Sequence, residues 1–152
     1  MTPDATKTER GRRIIGFSVL LENRVGRLLD LVRTLDQGGI HVLGLSIQDS
    51  GEFSVLRFVP DDPEGLRRLL GDAGLAFVES TLTVVEIGGP PALRGVLAAV
   101  LQAECNIHYT FPLLASSSGR FLLALHLEEE EYAASALNAA GFRVLTRGDI
   151  CR

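Results

Sequence analysis

The chain alternates between short apolar runs and segments whose apolar residues recur every three or four positions. Ile14–Leu21, IIGFSVLL, is rich in branched and aromatic residues and predicts a strand. From Arg27 the period changes: Leu28, Leu31, Val32 and Leu35 fall on one face of a helix, and Gly38-Gly39 stops it. Ile40–Gln48 predicts a second strand, Asp49-Ser50-Gly51 a turn, and Glu52–Val59 its hairpin partner. Asp62 is placed to cap a second helix and Pro63 suits its first position, with Leu66, Leu69, Leu70 and Ala73 as the buried stripe. Residues 75–80, LAFVES, return as a strand and complete a β-α-β-β-α-β order.

The same order then repeats. Residues 81–87 predict a strand, 88–104 a helix with prolines at its start, and 106–114 and 120–127 two strands around the turn 115–119. Residues 128–141 predict a helix and 142–146 the closing strand. An offset of 67 superposes Ile40 on Ile107, His41 on His108, Ser50 on Ser117, Leu70 on Leu137 and Gly74 on Gly141. The helical stripes want a further shift of one or two, which places a small indel before the second repeat's second strand. The expected fold is α+β: two ferredoxin-like βαββαβ repeats, each an antiparallel sheet with helices on one face. Residues 1–13 read as a solvated tail, 14–80 as the first repeat and 81–152 as the second. Along Ile40–Ile47 alternation puts Ile40 and Val42 on one face and Leu43, Leu45 and Ile47 on the other. Both faces of that sheet are therefore expected to be covered, by the other repeat or by a second chain.

Charge narrows the partners. Lys plus Arg against Asp plus Glu count 10 to 12 through Ser80 and 5 to 7 after it, for a net charge of −4. Neither half is basic enough to attract a phosphate backbone or an anionic membrane. Phe53 and Phe58, the aromatic pair of a third strand, lie on opposite faces by parity and make no stacking platform for RNA. The polar N-terminus is no signal peptide, and the apolar runs fall far short of the roughly 20 residues of a membrane span. Two cysteines, Cys105 and Cys151, build no disulfide framework, so a reducing, cytoplasmic setting is expected.

Candidate chemistry is sparse. Cys105 and His108 have Cys-x-x-His spacing, but no second pair completes a zinc set, so no metal is expected. Glu128–Glu131 opens a helix, where negative charge complements the dipole, and lacks the spacing of a calcium loop. There is no Walker loop, dinucleotide fingerprint or nucleophile elbow, and neither a cofactor nor enzymatic activity is expected. The segment Asn23-Arg24-Val25-Gly26 stands out. Asn23 is expected to cap the following helix and Gly26 to let the backbone approach closely, while the helix N-terminus offers N–H groups and partial positive charge to a carboxylate. Arg24 could neutralise that carboxylate.

On these residues the chain resembles the ACT domain, a small-molecule regulatory module of β-α-β-β-α-β plan. The resemblance lies in Phe17–Ile47: a strand, an Asn-x-x-Gly loop at Asn23–Gly26, an apolar-striped helix, and the second-strand start Gly39-Ile40-His41-Val42. Val25 stands where such loops usually carry proline, and His41 where the strand usually carries asparagine. The second repeat keeps a Gly/Pro turn, GGPPALRG, without the Asn-x-x-Gly motif, and on the offset of 67 His108 takes the asparagine slot.

The resemblance implies a free-standing tandem ACT protein, homodimeric in form, that binds an amino-acid effector where this loop meets a neighbouring domain. Its candidate ligand residues are Asn23, Arg24, Val25, Gly26, Ile40 and His41, with Asn106 and His108 serving a second site. An imidazole at His41 could hydrogen-bond the effector and change charge near neutral pH. The alternative is a protein-interaction regulatory subunit of a biosynthetic enzyme, similar to the small subunit of acetolactate synthase.

Overall fold

The computed structural model describes residues 13–114 and 119–150; the expected tail up to residue 12, turn residues 115–118 with Ser117, and Cys151 lie outside the described residues. Seven strands and five helices occupy the described chain. They are β1 (Ile14–Glu22), α1 (Arg27–Gln37), β2 (Val42–Asp49), β3 (Phe53–Pro60), α2 (Pro63–Asp72), β4 (Phe77–Ile87), α3 (Leu93–Gln102), β5 (Ile107–Pro112), β6 (Phe121–Leu127), α4 (Glu130–Ala139), β7 (Arg143–Leu145) and α5 (Arg147–Ile150). A 3₁₀ turn at Pro90–Ala92 leads into α3, where the fixed φ of proline suits a helix start. The short α5 had no signal in the sequence periodicity.

Two compact units divide the chain between Ser80 and Thr81, with Arg13 and Ile14 grouped with the second. The first has strand order β2-β3-β1-β4 and the second β5-β6-β4-β7. Both are the ferredoxin-like order, in which each crossover helix carries the chain past one intervening strand. The division falls inside β4. Residues 75–80 and 81–87, expected as two strands, form one continuous strand from Phe77 to Ile87, because no Gly, Pro or Asn breaks the backbone between them.

Each unit has its own core on the helix side of its sheet. In the first, Phe17, Val19 and Leu21 of β1 meet Leu56 and Phe58 of β3 beneath Leu31, Leu35, Leu66 and Leu70 of the helices. In the second, Val85, Leu123 and Leu125 meet Val96, Val100, Ala133 and Leu137. A fully buried side chain of this size contributes about 1.5–3 kcal/mol, so these layers hold the units. Asp62 caps α2 as expected, accepting a hydrogen bond from the backbone N–H of Gly65 at 3.0 Å, with Pro63 at the first position.

Two readings of the second strands need correction. The β2–β3 register runs Val42 to Pro60, then Gly44 to Val59 and Leu45 to Phe58, so β2 carries one extra residue at Leu43. A bulge reverses the inside-outside parity beyond it. Val42 therefore packs on the core, and Leu45 and Ile47, opposite Phe58 and Leu56, lie on that same face. The expectation of opposite apolar faces along Ile40–Ile47 fails there.

The repeat offset also changes. Ile40 N–H donates to Leu35 C=O as Cys105 N–H donates to Val100 C=O, an offset of 65. Beyond the hairpin, Leu75 N–H donates to Leu70 C=O as Phe142 N–H does to Leu137 C=O, an offset of 67. A two-residue insertion thus lies between β5 and β6. Val19 faces Leu56 as Val85 faces Leu123, an offset of 66 in the first strand, so a one-residue change also lies before β5, where a small indel was expected. The structural counterpart of His41 is Asn106, since Asp61 N–H donates to His41 C=O as Glu128 N–H donates to Asn106 C=O. His108 instead matches Leu43, the extra residue in its own strand, so the histidine recurrence was an alignment effect.

Candidate functional site

The loop from β1 to α1 is built by contacts with the β2–β3 turn. Asn23 N–H donates to Glu52 C=O at 2.8 Å, and Asn23 Nδ2 donates to Asp49 Oδ1 at 3.1 Å and to Gly51 C=O at 2.9 Å. Asp49 Oδ1 also accepts from Gly51 N–H at 2.9 Å. Asn23 does not cap α1. The N-cap is Gly26, with φ of 87° and no side-chain cap, and Asn23 lies too far upstream because Arg24 to Gly26 form a turn first. That φ is the left-handed region where glycine is at ease, and here the loop requires it.

The uncapped helix start leaves N–H groups of the first turn without intrahelical acceptors. Beneath the loop is a cavity of about 180 Å³. Leu21, Leu28, Ile47 and Leu56 give it an apolar floor, and Glu22, Asn23, Arg24, Arg27 and Ser54 a polar rim. Sites for drug-sized ligands run to about 300–1,000 Å³, so this one suits a small metabolite. A second cavity of about 140 Å³, lined by Asp30, Leu31, Thr34 and Leu69 among others, shares Leu21 and Arg27 with the first.

Arg27 is the residue that sequence reasoning missed. It is the first residue of α1 and half-buried, and its Nε is buried with no hydrogen-bond partner among the described residues. A cation in the first turn opposes the helix dipole, and that placement is the signal that would have found it. Arg24, by contrast, is exposed and paired with Glu22 Oε2 at 2.8 Å through its Nε. Val25 is fully exposed.

The remaining candidates lie elsewhere. Ile40 is buried in the first core. His41 sits before β2, at the strand end opposite the Asp49 turn, with its Nδ1 donating to Asp61 Oδ2 at 2.7 Å. Asn106 Nδ2 donates to Glu128 Oε2 at 2.7 Å, the equivalent bond in the second unit. The His108 ring packs on that of His126, with centroids 4.9 Å apart. Cys105 is buried and its Sγ accepts from Glu129 N–H at 3.3 Å. Among the described residues no group of three His, Cys, Asp or Glu side chains is placed to hold a metal, and no helix is long and apolar enough to cross a membrane. In the second unit the loop after β4 is Gly88-Gly89-Pro90, and Arg120, which lies by Gly88, pairs with Glu86 through its Nε at 2.6 Å.

Solved structures share this fold. A protein from Bacteroides thetaiotaomicron superposes with a TM-score of 0.83 at 20% identity, covering 93% of this chain and 97% of that one. The regulatory subunit of aspartate kinase from Thermus thermophilus does so with a TM-score of 0.61 at 18% identity, covering 85% and 93%. That from Thermus flavus gives 0.58 at 18% identity, covering 86% and 92%. Among curated protein sequences there is no match. A family model described as the ACT domain pair matches residues 13–137, and the chain belongs to the ACT domain family as such a pair.

Proposed function

We propose that this chain is a non-catalytic, cytoplasmic regulatory protein. In this reading residues 14–80 form an ACT repeat that binds a small amino acid or related metabolite, and residues 81–152 form its diverged twin. The observation that carries it is the buried, unbonded Nε of Arg27 beside a cavity of about 180 Å³ at the N-terminus of α1. A buried donor left unsatisfied costs about 1–3 kcal/mol, and a carboxylate would relieve that cost while accepting from the first-turn N–H groups. The ammonium group of the same molecule would meet Glu22 at the rim. Asn23 then acts by holding the loop, and His41 and Asn106 serve the fold. The Thermus aspartate kinase regulatory subunits support a place beside a biosynthetic enzyme. Regulation would follow by linkage: the ligand shifts a partner's state by its difference in affinity for the two states.

The test is thermal unfolding against a panel of free amino acids. A ligand at about a hundred times its dissociation constant stabilises the fold by roughly 2.7 kcal/mol, several degrees in the midpoint. One amino acid, or a few related ones, should raise the midpoint, and Arg27→Ala should abolish the rise. A flat panel rejects the reading.

Exposed apolar side chains favour a second reading. Val25 is fully exposed, and Leu29 and Ile47 are about half exposed. A protein-interaction subunit, similar to the small subunit of acetolactate synthase, would use such side chains for its enzyme. A flat panel together with stoichiometric co-purification of a biosynthetic enzyme, lost in Val25→Asp, is the result it requires.

A further inference from the structure

The cavity beneath the β1–α1 loop changes character along its length. Its charged lining, Glu22, Arg24 and Arg27, comes from the loop and the helix start. Ser54 lies opposite Leu21 in the β1–β3 ladder, at the loop end. Two residues further from the loop, Leu56 lies opposite Ile47 of β2. Leu28 lines the cavity from the helix side. The polar side chains near the mouth are already engaged: Asn23 bonds to Asp49 and Gly51, and Arg24 to Glu22. Beyond them Leu28, Ile47 and Leu56 carry only carbon in their side chains.

We propose that the ligand of this site is an amino acid with a short branched aliphatic side chain, selected by Leu28, Ile47 and Leu56. The inference rests on the ligand reading above and adds the class of side chain to it. With the carboxylate on Arg27 and the ammonium on Glu22, the side chain points away from the loop toward those three residues. A charged or hydroxylated tip placed there gives up its water and gains no hydrogen bond, which disfavours it. An aliphatic tip covers Ile47, which is half exposed, and takes apolar surface out of water on both partners. The volume, about 180 Å³, suits a short chain. Ile47 is therefore a specificity-determining residue, while Arg27 serves every amino acid alike.

Titration calorimetry on the full chain tests it, with L-valine, L-leucine and L-isoleucine against L-alanine, L-threonine, L-aspartate and L-lysine. At least one of the three branched amino acids should bind about tenfold or more tightly than any of the other four. Threonine decides most, since it keeps the shape of valine and exchanges a methyl for a hydroxyl. Ile47→Thr should reduce the preference for the branched ligand over alanine, because alanine is too short to reach that position. The side-chain class is overturned, with the ligand reading intact, if threonine, aspartate or lysine binds best and Arg27→Ala abolishes that binding. It is overturned as well if Ile47→Thr leaves the preference over alanine unchanged. Silence from all seven rejects the ligand reading and the side-chain class together.

Discussion

Asp61 holds His41 by two bonds: Oδ1 accepts from the backbone N–H at 2.8 Å, and Oδ2 from the imidazole Nδ1 at 2.7 Å. The pair ties the start of β2 to the turn before α2, and Asn106 with Glu128 does the same in the second unit through one side-chain bond. Asp61→Ala should therefore cost about 1–2 kcal/mol and Glu128→Ala less, about 0.5–1 kcal/mol, given exposed partners. Urea denaturation checks both. Equal losses would contradict the two-bond account.

Removing Asn23 frees the loop. Asn23→Ala gives up two bonds to the β2–β3 turn and should cost about 1 kcal/mol. Asn23→Asp sets a second carboxylate against Asp49 and should cost more, with the excess shrinking in high salt as the repulsion is screened. Denaturation at low and high salt separates the two; an excess that ignores salt is inconsistent with this geometry.

Two helical glycines predict opposite signs. A methyl on Gly71 meets nothing within 4 Å, so Gly71→Ala should stabilise by about 0.5 kcal/mol through helix propensity. A methyl on Gly95 meets the Phe142 ring at 2.9 Å, and overpacking of about 1–3 kcal/mol should outweigh a similar propensity gain. Gly95→Ala should lower the melting temperature, and pairing it with Phe142→Leu should return most of the loss.

Burial raises the carboxyl pKa of Glu130; Arg13 lowers it in part, and Glu131 adds to the rise. The folded state then holds this proton more tightly than the unfolded chain. Stability falls as pH rises through the region just above 4.5, the group's ordinary value. In Glu130→Gln that slope should flatten, so the variant gains on the wild type as pH climbs from 4 toward neutrality. A slope unchanged by the substitution would remove Glu130 as its source.

Periodicity made the two βαββαβ orders readable because strand and helix periods differ so widely. Leu28, Leu31 and Leu35, or Leu66 and Leu70, can bury only one face of a helix. Parity along β2 and β5 was not readable, since one extra residue at Leu43 or His108 reverses every side chain beyond it and leaves no mark in composition. The segment Asn23–Gly26 does connect a strand to a helix as expected, but Asn23 makes another bond than the expected cap, because its partner is Asp49, 26 residues away. Arg27 escaped notice because a cation beside an apolar stripe looks like solvated surface unless its place in the first turn, against the helix dipole, is weighed.

The turn between β2 and β3 has its length dictated from outside. Asn23 reads both Asp49 and Gly51, so an added residue there would pull the two acceptors out of reach together. In the second unit the loop after the first strand is Gly88-Gly89, which has no side chain to do such reading, and the β5–β6 connection is longer by two residues. The β5–β6 connection is therefore the natural port for protein engineering. An epitope, a fluorophore or a protease site spliced there should pass unnoticed by the fold, whereas the same insert after Asp49 should cost both the loop and whatever it binds.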